Sequence, residues 1–83
     1  MKITVYSTRT CPYCFELKDW FKENKIKFSE ISIDVEPILA KKKLTELDWQ
    51  GIVPFTVIEY EDGRLQKISG PDYKKFKKIF QKD

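Results

Sequence analysis

The chain has no histidine and only two cysteines in 83 residues. With neither histidine nor a second cysteine pair, a four-ligand mononuclear zinc site lacks its usual donors within one chain. Two cysteines three positions apart cannot staple a fold either, because so short a loop hardly constrains the unfolded chain. The multi-disulfide scaffolds of small secreted domains are therefore excluded. No window approaches the roughly 18 apolar residues of a membrane-spanning helix. The N-terminal stretch shows no basic-then-apolar signal region, so a cytoplasmic protein with no membrane contact is expected. Internal repeats, linkers and low-complexity segments are absent. Charge of one sign is also scarce: sixteen basic and thirteen acidic residues leave a net +3. Lys41-Lys42-Lys43 and the cluster Lys74, Lys75, Lys77, Lys78 read as solvated helix faces, not as the Arg-rich stripe of a nucleic-acid binder. A mildly basic surface still suits anionic partners, an acidic protein among them.

What is present is apolar and aromatic. Hydrophobic residues make up 41% and aromatics 14% of the chain, which suits one compact domain over 1–83. A chain this short buries only about 60–65% of its unfolded surface, and large rings compensate by removing more area from water per residue.

The hydrophobic pattern predicts the element order. Residues 2–7 read as a strand with Ile3 and Val5 on one face. Pro12 suits the first turn of a helix, where its missing N–H costs nothing. Cys14, Leu17 and Phe21 then recur at helical spacing, with Trp20 beside them, up to Asn24 and Lys25. Residues 26–34 predict a second strand presenting Ile31 and Ile33. Pro37 opens a second helix to about Leu47, with Ile38, Leu39, Leu44 and Leu47 as its apolar positions. Pro54 precedes a β-rich run from Phe55 to Tyr60. Asp62-Gly63 is a hairpin signal before Leu65–Ser69. Residues 72–82 predict a last helix with Tyr73, Phe76, Ile79 and Phe80 on one stripe, and Trp49 is expected in the core. The order β-α-β-α-β-β-α implies a parallel first pair with a right-handed crossover, an antiparallel last pair, and a four-stranded mixed sheet with helices on both faces.

The chemistry resides in Cys11-Pro12-Tyr13-Cys14, where a strand gives way to a helix. A thiolate attacks a disulfide and a thiol hardly does. Free cysteine titrates near ~8.5, but unpaired N–H groups and the positive end of a helix dipole favour a charged sulfur at a helix N-terminus. Arg9, two residues before Cys11, and Lys18, one turn past Cys14, are further sources of positive potential. Cys11 is thus expected to be the exposed nucleophile. Cys14, one turn inside the helix, is expected to act second, closing a Cys11–Cys14 bond and releasing the product. Tyr13 is expected at the surface, able to touch a bound thiol substrate. Pro54 reads most simply as a proline at a strand start; a cis Val53–Pro54 bond facing Cys11 is the functional alternative, which sequence alone does not select.

Together these residues resemble a dithiol glutaredoxin of the thioredoxin superfamily, over essentially the whole chain. Thr10-Cys11-Pro12-Tyr13-Cys14 after Val5-Tyr6-Ser7 matches the family's active site. Val53-Pro54 falls where the family has a Thr-Val-Pro loop with a cis proline, and Ser69-Gly70-Pro71-Asp72 resembles its Gly-Gly-Cys-Asp-Asp segment. The resemblance implies a thioredoxin-like fold and a glutathione-linked thiol–disulfide oxidoreductase, active as a monomer on disulfide-containing proteins, with no bound cofactor and no metal. It implies Cys11 as nucleophile and Cys14 as resolving thiol. Glutathione, the co-substrate, would pair with the backbone of Val53 before Pro54. Gly70, Pro71 and Asp72 would meet the tripeptide at the last helix, and Pro12, Tyr13 and Arg9 would complete its site. Three positions depart from the family: Thr8 stands where many members carry a glutathione-binding lysine, Ile52 replaces the threonine of Thr-Val-Pro, and Ser69 replaces one glycine. The chain is also similar to glutaredoxin-like redoxins that take electrons from thioredoxin reductase and serve ribonucleotide reductase; Ser69-Gly70-Pro71-Asp72 keeps part of their Ser-Gly-Phe-Arg-Pro-Asp segment. A dimer holding a metal or an iron–sulfur cluster is the third reading.

Overall fold

A computed structural model describes residues 1–80. The elements follow the expected order: β1 Lys2–Ser7, α1 Pro12–Glu23, β2 Ser29–Ser32, α2 Pro37–Glu46, β3 Phe55–Glu59, β4 Leu65–Ser69 and α3 Tyr73–Phe80. The strands form one sheet in the order β2-β1-β3-β4. β1 and β2 are parallel, with Val5 opposite Glu30 and Ser7 opposite Ser32. β3 runs antiparallel to both β1 and β4, with Thr56 opposite Val5 on one side and Ile68 on the other. The second strand is shorter than the predicted 26–34. The chain leaves α1 through Lys25 at positive φ (57°), Ile26 N–H returns to Phe21 O at 2.8 Å, and Ile26 and Phe28 pack against the core before pairing begins. Residues 81 and 82 of the predicted last helix lie outside the described residues.

α1 and α3 cover one face of the sheet. Ile3, Val5, Leu17, Phe21, Ile58, Ile68 and Phe76 form its buried layer. Phe21 sits among rings, 5.3 Å from both Phe28 and Phe76 and 5.7 Å from Trp20, centroid to centroid. Such tilted and edge-on pairs add about 0.5–1.5 kcal/mol each beyond their burial. The opposite face packs Tyr6, Ala40, Leu44, Phe55 and Val57, with Ile31, Ile33, Leu47 and Trp49 partly buried against them.

α2 corrects the sequence reading. Ala40 and Leu44 are its buried residues, whereas Ile38 is 87% exposed and Leu39 41%. The residues that follow Pro37 directly stay in water because the helix turns the Ala40–Leu44 stripe, not its first turn, toward the sheet.

The two ends of the sheet differ in kind. β4 begins at a tight hairpin in which Gly63 supplies a φ of 91°, a value that favours glycine. The other end gathers the C-termini of β1, β2 and β4, the N-terminus of β3, and the first turns of all three helices. Chain reversals at this end leave backbone N–H groups pointing outward.

Candidate active site

Cys11 is the N-cap of α1. Its backbone is extended (φ −101°, ψ 104°) and Pro12 fills the first helical position, as a missing N–H and a fixed φ favour. The Cys11 sulfur accepts a hydrogen bond from Cys14 N–H at 3.2 Å, and the Cys11 carbonyl accepts from both Cys14 and Phe15 N–H. The sulfur therefore stands where serine or aspartate oxygens usually cap helices. An N–H donor and the helix N-terminus both favour negative charge there.

Cys11 and Cys14 are joined as a disulfide, with Cα atoms 5.2 Å apart, inside the range such a bridge spans. Cys11 is only 8% exposed and Cys14 is fully buried. The expectation of an openly exposed leading sulfur is thus corrected: in the oxidised protein Cys11 is buried at its capping position, and only the order of exposure is as expected. Tyr13, between the two cysteines in sequence, is 59% exposed.

Both cations expected near the sulfurs are engaged elsewhere. Arg9 donates through Nε and its backbone N–H to Asp34 Oδ2, at 3.0 and 3.2 Å. Hydrogen bonds from Ser32 and then Arg9 hold the Asp34 carboxyl well below the usual carboxylate range. Lys18 Nζ donates to Glu30 Oε2 at 2.6 Å, and Ser7 Oγ donates to the same oxygen at 2.6 Å. Burial pushes the Glu30 carboxyl up, but the bonds from Lys18 and Ser7 and the charges of Lys18 and Lys22 outweigh it, leaving the group below its ordinary value. Sequence reasoning missed Asp34 and Glu30 as the carboxylates that capture these cations, since Arg9 lies 25 residues from Asp34 and Lys18 and Ser7 lie 12 and 23 from Glu30; no local spacing signals those pairs.

The Val53–Pro54 bond is cis. Pro54 is fully buried and Val53 half-buried. The loop before them is held by Trp49 Nε1, which donates to Ile52 O at 2.8 Å; Trp49 itself is half-buried against the α2 layer, near its expected place. Gly70 N–H donates to Pro54 O at 2.8 Å, tying the proline loop to the entry of α3. Gly70 holds φ at 78°, a conformation that side chains resist. Asp72 accepts from Lys75 N–H at 3.3 Å and lies 4.0 Å from the Lys75 ammonium. Pro54, Gly70, Pro71 and Asp72 thus form one connected corner, while Arg9 is tied to the β2–α2 connection. Among the described residues, no three His, Cys, Asp or Glu side chains gather to hold a metal, and no helix is long and apolar enough to cross a membrane.

Apolar side chains ring this end of the molecule. Among the described residues eight large hydrophobics are exposed, and six of them (Tyr13, Phe15, Val35, Ile38, Leu39, Ile52) belong to the first turns of α1 and α2, the turn before α2, and the proline loop. A groove of about 510 Å³ runs beside α2, lined by Ile33, Pro37, Lys41, Leu44, Thr45, Asp48 and Trp49.

This architecture is thioredoxin-like. The crystal structure of the thioredoxin-like protein BC3987 superposes with a TM-score of 0.75 at 26% identity, covering 94% of this chain and 99% of that one. The family model for glutaredoxin matches residues 3–60, and the chain belongs to the glutaredoxin family. It is 42% identical over 40 residues to the glutaredoxin-like protein NrdH of Lactococcus lactis subsp. cremoris, a match covering 48% of this chain and 56% of that protein. It is 30% identical over 57 residues to an uncharacterised glutaredoxin-like 8.6 kDa protein from the rubredoxin operon of Clostridium pasteurianum, covering 69% and 75%. The chain thus spans little more than half the length of the NrdH proteins it matches.

Proposed function

We propose that the protein is a thiol–disulfide oxidoreductase that receives its electrons from a protein reductase of the thioredoxin-reductase type and passes them to protein disulfides. Reduction of the Cys11–Cys14 disulfide takes two electrons and two protons and gives two thiols. The Cys11 thiolate then attacks one sulfur of a substrate disulfide, and the other sulfur leaves as a thiolate. Cys14 sulfur, having lost its proton, attacks Cys11 sulfur in the mixed disulfide; the second substrate thiolate leaves and the internal disulfide re-forms.

The exposed apolar side chains at this end of the fold support the choice of donor. Tyr13, Phe15, Ile38, Leu39 and Ile52 are exposed apolar side chains of the kind that a protein partner covers. A tripeptide with charged ends instead needs free cations. Thr8 occupies the place of the family lysine, and the adjacent Arg9 is spent on Asp34. The match to proteins named NrdH supports the same redoxin reading. The competing glutathione reading draws on the cis Val53–Pro54 bond and on Asp72 at the start of α3, features that the resemblance assigns to a glutathione site. Ribonucleotide reductase is the substrate class that goes with the redoxin reading.

One comparison tests the choice. The oxidised protein is offered glutathione with glutathione reductase and NADPH, or thioredoxin reductase with NADPH. Faster turnover with thioredoxin reductase is expected. Turnover with glutathione alone overturns the proposed donor while leaving the dithiol chemistry intact.

A further inference from the structure

Thr56 is fully buried, and its hydroxyl is the only buried side-chain polar atom among the described residues without a hydrogen-bond partner. A buried hydroxyl left unpaired is costly and calls for an explanation. The register locates it. Thr56 lies on the same rung as Val5 and Ile68, and directly opposed residues of neighbouring strands share a face. Val5 and Ile68 belong to the layer beneath α1 and α3, so Thr56 also faces α1. Cys14, Leu17 and Phe21 are the buried residues of α1, and Cys14 is the one nearest the active-site end. Thr56 occupies that same end, two residues past the cis proline. On the other flank of β1, the Ser7 hydroxyl is already committed to Glu30.

We propose that Thr56 is the hydrogen-bond partner of the Cys14 sulfur in the reduced protein, and that it thereby biases the cysteine pair toward the dithiol. In the disulfide, Cys14 sulfur has no proton to give and is a weak acceptor, so the hydroxyl is left alone. Reduction adds two electrons and two protons across the bond and frees the Cys14 sulfur. A hydroxyl both donates and accepts, so it serves the thiol and the thiolate alike. The unpaired group penalises the oxidised state, and its pairing stabilises the reduced one. The proposal rests on the dithiol chemistry but not on the identity of the electron donor.

The test is the equilibrium of the protein disulfide with reduced and oxidised dithiothreitol, whose couple supplies and accepts the two electrons without any physiological donor. Thr56→Val keeps the shape and removes the hydroxyl. It is expected to move the equilibrium about tenfold toward the disulfide, about 30 mV more negative. Thr56→Ser keeps the hydroxyl and is expected to stay within about twofold of wild type. A Thr56→Val potential that is unchanged or raised overturns the proposal. So does a Thr56→Ser shift as large as that of Thr56→Val, which would make the position a matter of packing. Should Thr56→Val fail to fold, Thr56→Ala, which also lacks the hydroxyl, takes its place with the same expected shift and the same overturning outcome. A negative result here leaves the comparison of reductases untouched.

Discussion

The two faces of the sheet are unequal. Beneath α1 and α3, phenylalanine rings interlock around Phe21 and leave Cys14 sealed at the helix start. Beneath α2 the layer is thinner; a groove opens beside it, and Ile38 and Leu39 of the same helix stand in water. One face fixes the reacting sulfurs, since a rotamer-locked aromatic layer resists movement. The other keeps apolar surface exposed at the end where the proposed reductase would approach. A small fold thus separates rigidity from contact by assigning them to opposite sides of four strands.

The sharpest way to break this comparison is to empty a site on each face. Phe21→Ala removes a fully buried ring with ring partners in α1, α3 and the approach to β2. It should cost about 3–5 kcal/mol, a large share of the about 5–15 kcal/mol that holds a domain together. Leu44→Ala on the α2 face should cost less, about 2–3 kcal/mol, because the adjoining groove lets neighbours relax. Urea unfolding of both variants gives the values. Equal losses would mean that the two faces are equally packed.

Ile38 probes the other half of the argument. At 87% exposure, Ile38→Asp should change stability by no more than about 0.5 kcal/mol. It should raise KM for the protein reductase about tenfold, equivalent to about 1.4 kcal/mol of lost contact, while the rate with a small disulfide such as hydroxyethyl disulfide stays unchanged. Steady-state kinetics with both substrates separate the two effects. An unaltered KM would remove Ile38 from the docking surface.

Legibility followed the range of the interactions. The period-two pattern of Lys2–Ser7, the Asp62-Gly63 turn before Leu65–Ser69 and the prolines at 12 and 37 marked elements that form where expected, because alternation, turn chemistry and fixed φ are local properties. The Cys11–Cys14 pair was legible for the same reason. The fate of Arg9 and Lys18 was not, since each is captured by a carboxylate that only the β1–β2 pairing brings near. Ile38 and Leu39 misled because apolar residues in a first turn do not say which stripe the helix turns inward; here it is Ala40 and Leu44. The cis state of Val53–Pro54 was an alternative that only the family resemblance favoured. Thr56 was invisible: threonine is at home in a strand, and nothing in Phe55-Thr56-Val57-Ile58 says that its hydroxyl is left without a partner.

The smallest expected effect lies at the β2 edge of the rigid face, where Glu30 receives Lys18 and Ser7. Its folded carboxyl titrates below its ordinary value, so the ionised form stabilises the fold. That contribution is fully present above the unfolded value of about 4.3. It disappears as pH falls through the lower folded value. The side chain is 36% exposed, so solvent screening limits the effect to about 0.2–1 kcal/mol. Glu30→Gln should therefore trail wild type slightly at pH 7, and the two urea midpoints should converge below pH 4. A gap that persists unchanged into acid would assign the difference to hydrogen-bond geometry, and the charge of this edge would then contribute nothing to the stiffness that separates it from the α2 side.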